Sequence, residues 1–231
     1  MTLDRPIGPE VDPAPAARPK PTTLIGQYAT LVPLDASVHA EPLYEAVRGR
    51  DEVWIYLFEP PPPTRAAFEA LLHRKATSPD RVYLAVMDHG LGQVAGYASY
   101  LRIDETHRSI EVGDILFAPA MQRTRAATEA MYLMAKHVFE DLGYRRYEWK
   151  CNDLNEPSKR AALRLGFTFE GVFRQHLIVK GRNRNTAWFA MLDAEWPARK
   201  AAFERWLDPG NFDAAGRQRL SLSAFSRRDE R

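Results

Sequence analysis

Apolar residues recur along this chain at two different periods, and the places where the period changes divide it into elements. From Arg81 to Met87 the pattern alternates, with Val82, Leu84 and Val86 on one face of a predicted strand. Asp88-His89-Gly90-Leu91-Gly92 reads as a turn, and Gln93 to Leu101 returns as the second arm of a hairpin. After the polar turn 104–108, Ser109 to Phe117 gives a third antiparallel strand, which Pro119 ends. The period then lengthens. Ala127, Met131, Met134, Val138 and Leu142 make one apolar stripe, predicting a helix from Thr124 to Leu142 with Gly143 as its left-handed stop. Arg146 to Cys151 alternates again, with Tyr147, Trp149 and Cys151 together. Asn155 and Pro157 open a further helix that Gly166 closes. Phe167 to Val179 and Asn185 to Leu192 read as two strands around the turn Lys180 to Asn183.

Upstream, Gln27 to Pro33 suits a short strand, and Ser37 to Val47 a helix burying Val38, Leu43 and Val47. The run Pro60 to Pro63 forces a loop, after which Thr64 caps a helix reaching Ala76. Three segments follow: a Pro/Ala-rich arm, extended or disordered, over 1–23; a folded domain over 24–197; and, over 198–231, a helix from Ala198 to Leu207 with a polar, basic tail. The element order is that of an α/β (α+β) fold with a mixed, mostly antiparallel sheet of about seven strands. One β-α-β crossover, through the long helix, should set the strands near Ser109 and Arg146 parallel.

Composition narrows the function. Hydrophobic residues are 45% and charged residues 27% of the 231, an ordinary globular balance, and the net charge is only +2. Neither a nucleic-acid nor a membrane partner is expected from so small a charge or from the apolar runs, none of which could span a bilayer. The N-terminal stretch carries Asp4, Arg5, Glu10 and Asp12 where a secretory signal needs apolar residues, so a cytoplasmic location fits. Cys151 is the only cysteine and the histidines are dispersed, so no metal site is expected.

The crossover's strand-to-helix junction, Met121 to Ala130, is the natural anion site. Helix-start amides point outward, the dipole favours negative charge, and Arg123, Thr124, Arg125 and Thr128 add guanidinium and hydroxyl groups. A pyrophosphate would be well served there; a solvated helix start with ordinary surface arginines is the plainer reading.

These pieces, in this order, resemble the GNAT superfamily of N-acetyltransferases, closest to its ribosomal-protein alanine acetyltransferase branch. The likeness covers Gln27 to Pro197 and rests on Ile110 to Phe117, Gln122 to Ala130, Leu142 to Arg146, Asn155 with Ser158, Leu165-Gly166-Phe167 and Glu170 to Arg174. It implies an acetyltransferase fold and acetyl-CoA as donor cosubstrate, with no metal. The acceptor it implies is a primary amine on a protein N-terminus or a small molecule. It further implies pyrophosphate binding by Gln122, Arg123, Thr124, Arg125, Ala126, Ala127 and Thr128. Pantetheine would pair with the backbone of Leu116 and Phe117, between strands parted by a bulge, and reach Asn155. One departure is Arg125, which stands where the family loop has glycine.

Attack by an amine requires removal of a proton, because amines are largely protonated at pH 7. Glu111 and Asp114 are the base candidates, and Ser158 the acid for the departing thiolate. Three residues apart, the two carboxylates point to opposite faces of a regular strand unless a bulge intervenes. Salt-bridged carboxylates, and a helix cap at Asn155, are the competing structural readings. Trp54 and Tyr56 fall in the region that borders the acceptor site in relatives, though burial under the two helices is the plainer reading. Arg174, on the last hairpin, could contact an acidic or peptide acceptor, though an exposed hairpin face explains it equally well. A protein that binds acyl-CoA without turnover stays open as the alternative, as does a homodimer through the last strands or the C-terminal segment.

Overall fold

The computed structural model describes residues 7–226. Its centre is one eight-stranded sheet in the order β1-β2-β3-β4-β5-β6-β8-β7. These strands are β1 (Leu24–Ile25), β2 (Ala29–Pro33), β3 (Val82–Asp88), β4 (Gln93–Asp104), β5 (Ser109–Phe117), β6 (Arg146–Asn152), β7 (Thr168–Val179) and β8 (Arg182–Leu192). Only β5 and β6 run parallel. The helix between them, α3 (Arg125–Lys136), carries the chain back across the sheet, as a parallel pair demands.

The other helices are α1 (Ala36–Val47), α2 (Arg65–Ala76), α4 (Glu156–Arg164), α5 (Trp196–Leu207) and α6 (Leu222–Ser226). Two tyrosines of β4 show how the layers divide. The Tyr100 hydroxyl donates to Met134 O on α3 (3.0 Å), while the ring of Tyr97 lies 5.3 Å from Lys75 Nζ on α2. Three residues apart on a strand, they point to opposite faces, so α3 covers one face and α2 the other. Helix α5 adds a further layer over α3, with Tyr132 stacked on Trp196 and tilted against Phe203.

The structure departs from the sequence expectations in five places. The sheet has an eighth strand, the two-residue β1, too short to carry a period. Helix α1 begins at Ala36 and buries Ala36, Ala40, Leu43 and Val47, which leaves Val38 on the outer side, 62% exposed. The long helix stops at Lys136 and widens into a π turn over His137–Asp141, where the Leu142 amide donates to His137 O. That widening brings Phe139 against Tyr147 and Trp196, which a regular turn would rotate past. The last hairpin turns tightly on Lys180 and Gly181, both at positive φ, as a two-residue loop requires, so β8 starts at Arg182. The C-terminal segment is structured beyond α5: Asn211 Nδ2 donates to Trp206 O and Leu220 O, and α6 follows.

The N-terminal arm has no regular structure over residues 7–20, yet it is pinned where the Ala16 and Ala17 amides donate to Glu105 O and Leu142 O. The ends of the expected arm and basic tail, residues 1–6 and 227–231, lie outside the described residues. Among the described residues no helix is long and apolar enough to cross a membrane.

Candidate active site

Strands β5 and β6 are paired over only four rungs, from Ser109↔Arg146 to Val112↔Trp149. β5 runs on to Phe117 beside β4, and β6 runs on to Asn152 beside β8. From Gly113 onward the two parallel strands therefore have no partner in each other, and a gap opens in the middle of the sheet. A bulge starts the divergence. On β4 the register jumps between Ser99↔Gly113 and Tyr97↔Leu116, which leaves one extra residue on β5. Asp114 carries the kink at φ +48.

The bulge also decides where the two carboxylates point. Glu111 lies opposite Leu101, on the face that Tyr97 shares with α2. Without the extra residue Asp114 would face α3; with it, Asp114 turns to the α2 side. There its Oδ2 accepts from Lys75 Nζ, from the Tyr83 hydroxyl (2.6 Å) and from Arg81 (3.3 Å). Its Oδ1 is sealed and unpaired, as are Glu59 Oε2 and the Tyr97 hydroxyl nearby. Burial, together with the negative charge of Asp114, pushes the Tyr83 and Tyr97 phenols well above their ordinary range.

Glu111 is arranged differently. Its Oε2 takes Arg102 (2.6 Å) and Lys150 Nζ (3.0 Å), and Lys150 also holds Glu148 (2.6 Å). Oε1 is directed toward Gly113, where a Cβ would stand 3.2 Å from it. It makes no hydrogen bond among the described residues and is not sealed. Glu111 thus sits at the mouth of the gap with one oxygen free, while Asp114 beside it has one oxygen held by α2 and β3 and the other sealed.

Ser158 approaches from the other face. Trp149, on the last shared rung, donates its indole N–H to Ser158 Oγ (3.0 Å). The same hydroxyl lies against Cys151, whose thiol is pushed up by burial. Asn155 caps α4 through its Oδ1, which accepts from the Ser158 amide (3.2 Å), so it fixes the serine in place.

At the far end of β5 the chain folds directly into the start of α3. Gln122 Nε2 donates to Phe117 O (2.9 Å), and Thr124 Oγ1 donates to Met121 O and accepts from the Ala127 amide. Arg123 takes the left-handed conformation, φ +65, with its side chain exposed. The strained position is therefore Arg123, and Arg125 is an ordinary first helical residue. Its guanidinium lies between the rings of Tyr28 (4.7 Å) and Phe212 (4.4 Å), which draws it toward the N- and C-terminal segments. The amides of Arg125 and Ala126 have no acceptor among the described residues. Ala126, Ala127 and Thr128 are buried beneath them, and Arg164 of α4, over the ring of Trp206 (4.7 Å), donates to Thr128 Oγ1 (3.1 Å) with no carboxylate partner among the described residues. Outward amides plus an uncompensated cation fit a diphosphate.

Of the residues expected on the acceptor side, Trp54 is 2% exposed and packs edge-on against Phe68, so its ring belongs to the core. Tyr56 reaches across to donate to Leu154 O (3.0 Å). Arg174 is exposed on a bulge of β7, in the wall of an open cavity of about 590 Å³ with Phe173, Gln175 and His176. Lys75, Arg102, Lys150 and Arg184 carry much of the charge around the gap and were not singled out from the sequence. They come from α2, β4, β6 and β8, and no spacing along the chain signals their meeting.

A family model described as the acetyltransferase (GNAT) domain matches residues 29–168. The chain belongs to the GNAT acetyltransferase family. A crystal structure of a GCN5-related N-acetyltransferase from Brucella melitensis is 48% identical, covers 93% of this chain and 98% of that one, and superposes with a TM-score of 0.91. A probable acetyltransferase of the GNAT family from Chromobacterium violaceum ATCC 12472 is 38% identical over 84% of this chain and 100% of that one, at a TM-score of 0.77. The curated relative "Putative ribosomal N-acetyltransferase YdaF" of Bacillus subtilis (strain 168) is 28% identical over 109 residues, 47% of this chain. The chain spans 59% of that relative's length.

Proposed function

We propose that this GNAT-family protein transfers an acetyl group from acetyl-CoA to a primary amine, by direct attack with both substrates bound. The reading rests on one observation: an unpaired gap between parallel strands opens beside the helix start that offers free amides. Acetyl-CoA, once bound, supplies an acyl group activated as a thioester. Gln122 to Thr128, with Arg164, would hold its diphosphate. The free edge of β5 at Leu116 and Phe117 would pair with its extended arm as an added strand does.

The chain's own groups then divide by face. Glu111 Oε1, on the α2 face, takes the amine proton directly or through one water. Lys150 and Arg102 fix the orientation of that carboxylate through its other oxygen. Ser158, on the opposite face, gives its hydroxyl proton to the departing sulfur and regains one from solvent; the Trp149 N–H, on one of the oxygen's two lone pairs, holds it in place and leaves the O–H free to donate. A backbone N–H on the unpaired edge of β5 donates to the oxygen that gains charge. Asp114 has no open oxygen and serves to hold the bulge.

Calorimetric titration with CoA, and CoA release with acetyl-CoA and a set of peptides and small amines, test this. Glu111→Gln should lower kcat by roughly 10²–10⁴ with CoA affinity unchanged. An unchanged kcat removes Glu111 as the base. CoA binding without release to any amine would favour a binding protein over an enzyme.

A further inference from the structure

We propose that Arg184 receives a carboxylate carried by the acceptor, so that the substrate class is an amine bearing an acid close to the reacting nitrogen. This rests on the acetyl-transfer reading for where the amine reacts, and on the following geometry for the rest.

Arg184 is a core-like cation without an anion. It is 7% exposed, on β8, and no carboxylate among the described residues lies within ion-pair distance. Its Nε donates to Thr186 Oγ1 (3.2 Å), and the guanidinium lies over the ring of Phe58 (5.1 Å). Its two terminal nitrogens have no acceptor among the described residues and are not sealed. The cations nearest the gap on this face are paired: Lys75 with Asp114 and Glu59, Arg81 with Asp114, Arg102 with Glu111, and Lys150 with both Glu111 and Glu148. A buried guanidinium left without a counter-charge is destabilising, and a charge kept unpaired in a cleft marks a functional site.

The position suits an acceptor. Arg184, Thr186 and Trp188 alternate along one face of β8. Lys150 Nζ lies 3.8 Å from the Trp188 ring centroid and holds Glu111, so the unpaired arginine and the proposed base stand on one continuous wall. His176 Nδ1 meets the same Thr186 hydroxyl (3.0 Å), and Phe173, 52% exposed, packs on Trp188. Phe58, from the connection between α1 and α2, covers the guanidinium from above. Thr186 fixes the guanidinium plane through Nε and leaves its outer edge for a fork-shaped contact. One guanidinium balances one negative charge. A phosphate monoester, at roughly −1.5 to −2, would stay partly uncompensated, and a polyamine would meet like charge.

The test compares acetylation of two short peptides that differ only by Glu or Gln at the second position, with free glutamate and spermidine as further acceptors. Binding of each peptide in the presence of CoA is measured separately by calorimetry. The intact protein should prefer the Glu peptide by about tenfold or more in kcat/KM, as a charge-assisted hydrogen bond of about 1.5–3 kcal/mol implies. Arg184→Met, which keeps the stem against Phe58, should bring that ratio close to one, and R184K should fall between. A preference for free glutamate over the peptide would place the carboxylate on a small molecule. Equal use of Glu and Gln peptides by the intact protein, or a preference that survives in R184M, overturns the proposal. Should R184M fail to fold, the intact protein and R184K decide. If no amine releases CoA yet calorimetry shows a Glu preference that R184M abolishes, the arginine's role stands and the acetyl-transfer reading falls.

Discussion

Asp114 and His39 show how single side chains here are committed by what surrounds their second polar atom. Asp114 balances Lys75, which is itself buried, so removing the negative charge leaves a core cation with only the longer contact to Glu59 (3.2 Å). Asp114→Asn should therefore cost about 3–5 kcal/mol in urea unfolding. A loss under 1 kcal/mol would mean that Glu59, whose Oε1 already lies 3.2 Å from Lys75 Nζ, is compensation enough. His39 is buried in α1, with its Nδ1 accepting from the Asp35 amide (3.0 Å). Burial pushes the imidazole below its ordinary value of 6.5, against the smaller pull of Asp35. Below 6.5 the unfolded chain takes a proton that the folded one refuses, so this contribution to stability is complete above that pH and is lost as pH falls toward the folded value. The urea midpoint should drop between pH 7.5 and 5.5, and less steeply in His39→Asn, whose amide oxygen can accept from Asp35 without titrating. Since burial also lowers His176, some slope will remain in the variant; an identical slope in both proteins would clear His39 of any part in it.

Helix α3 owes its placement to Glu129, whose carboxylate accepts the amides of Gln27 (2.9 Å), Tyr28 and Ala29 (2.7 Å). These amides belong to the turn between β1 and β2, and a Cβ on Gly26 would overlap the carboxylate. Glu129→Gln puts a further donor where three already converge and should cost about 2–3 kcal/mol. Faster hydrogen exchange at Gln27 to Ala29 would locate the damage; protection equal to the parent's would show that the turn holds itself. Much of this layer was legible in the chain. Thr64 caps α2 through the Ala67 amide, as its place before the helix foretells, and the long alternations do form β3 to β6. What escaped reading has physical causes. The π turn keeps Val138 and Leu142 near the apolar stripe, so its period looks like plain helix. A bulge in β5 is expected, but the residue that takes the positive φ is Asp114 rather than the Gly113 before it. Hence Glu111 and Asp114 share a face that simple alternation denies them. Arg184 and Phe58 meet across most of the chain, through packing that no local pattern records.

Across the whole molecule, β1–β5 and β6–β8 are joined within the sheet by the four rungs between β5 and β6 alone. The segment between α1 and α2 ties the two parts from the α2 side. Lys180, on the turn after β7, donates to Trp54 O (2.7 Å); Tyr56 donates to Leu154 O before α4; Phe58 lies over Arg184. Pro60 to Pro63 stiffen the rest of that segment, so its position depends on few contacts. Lys180→Met removes the charged donor from the Trp54 carbonyl but keeps most of the side chain's length. The lost bond should be worth about 1–2 kcal/mol to local closure, or roughly tenfold faster exchange at Val53 to Leu57. Global unfolding should change less, because the core beneath Trp54 and Phe68 is untouched. If the segment shapes the acceptor side, KM for the amine should rise in the same variant while CoA affinity holds, since α3 covers the opposite face of the sheet. Exchange and KM moving together would tie the segment to the acceptor. Faster exchange with an unchanged KM would leave it a structural brace, and unchanged exchange would show that Tyr56 and Phe58 suffice to hold it.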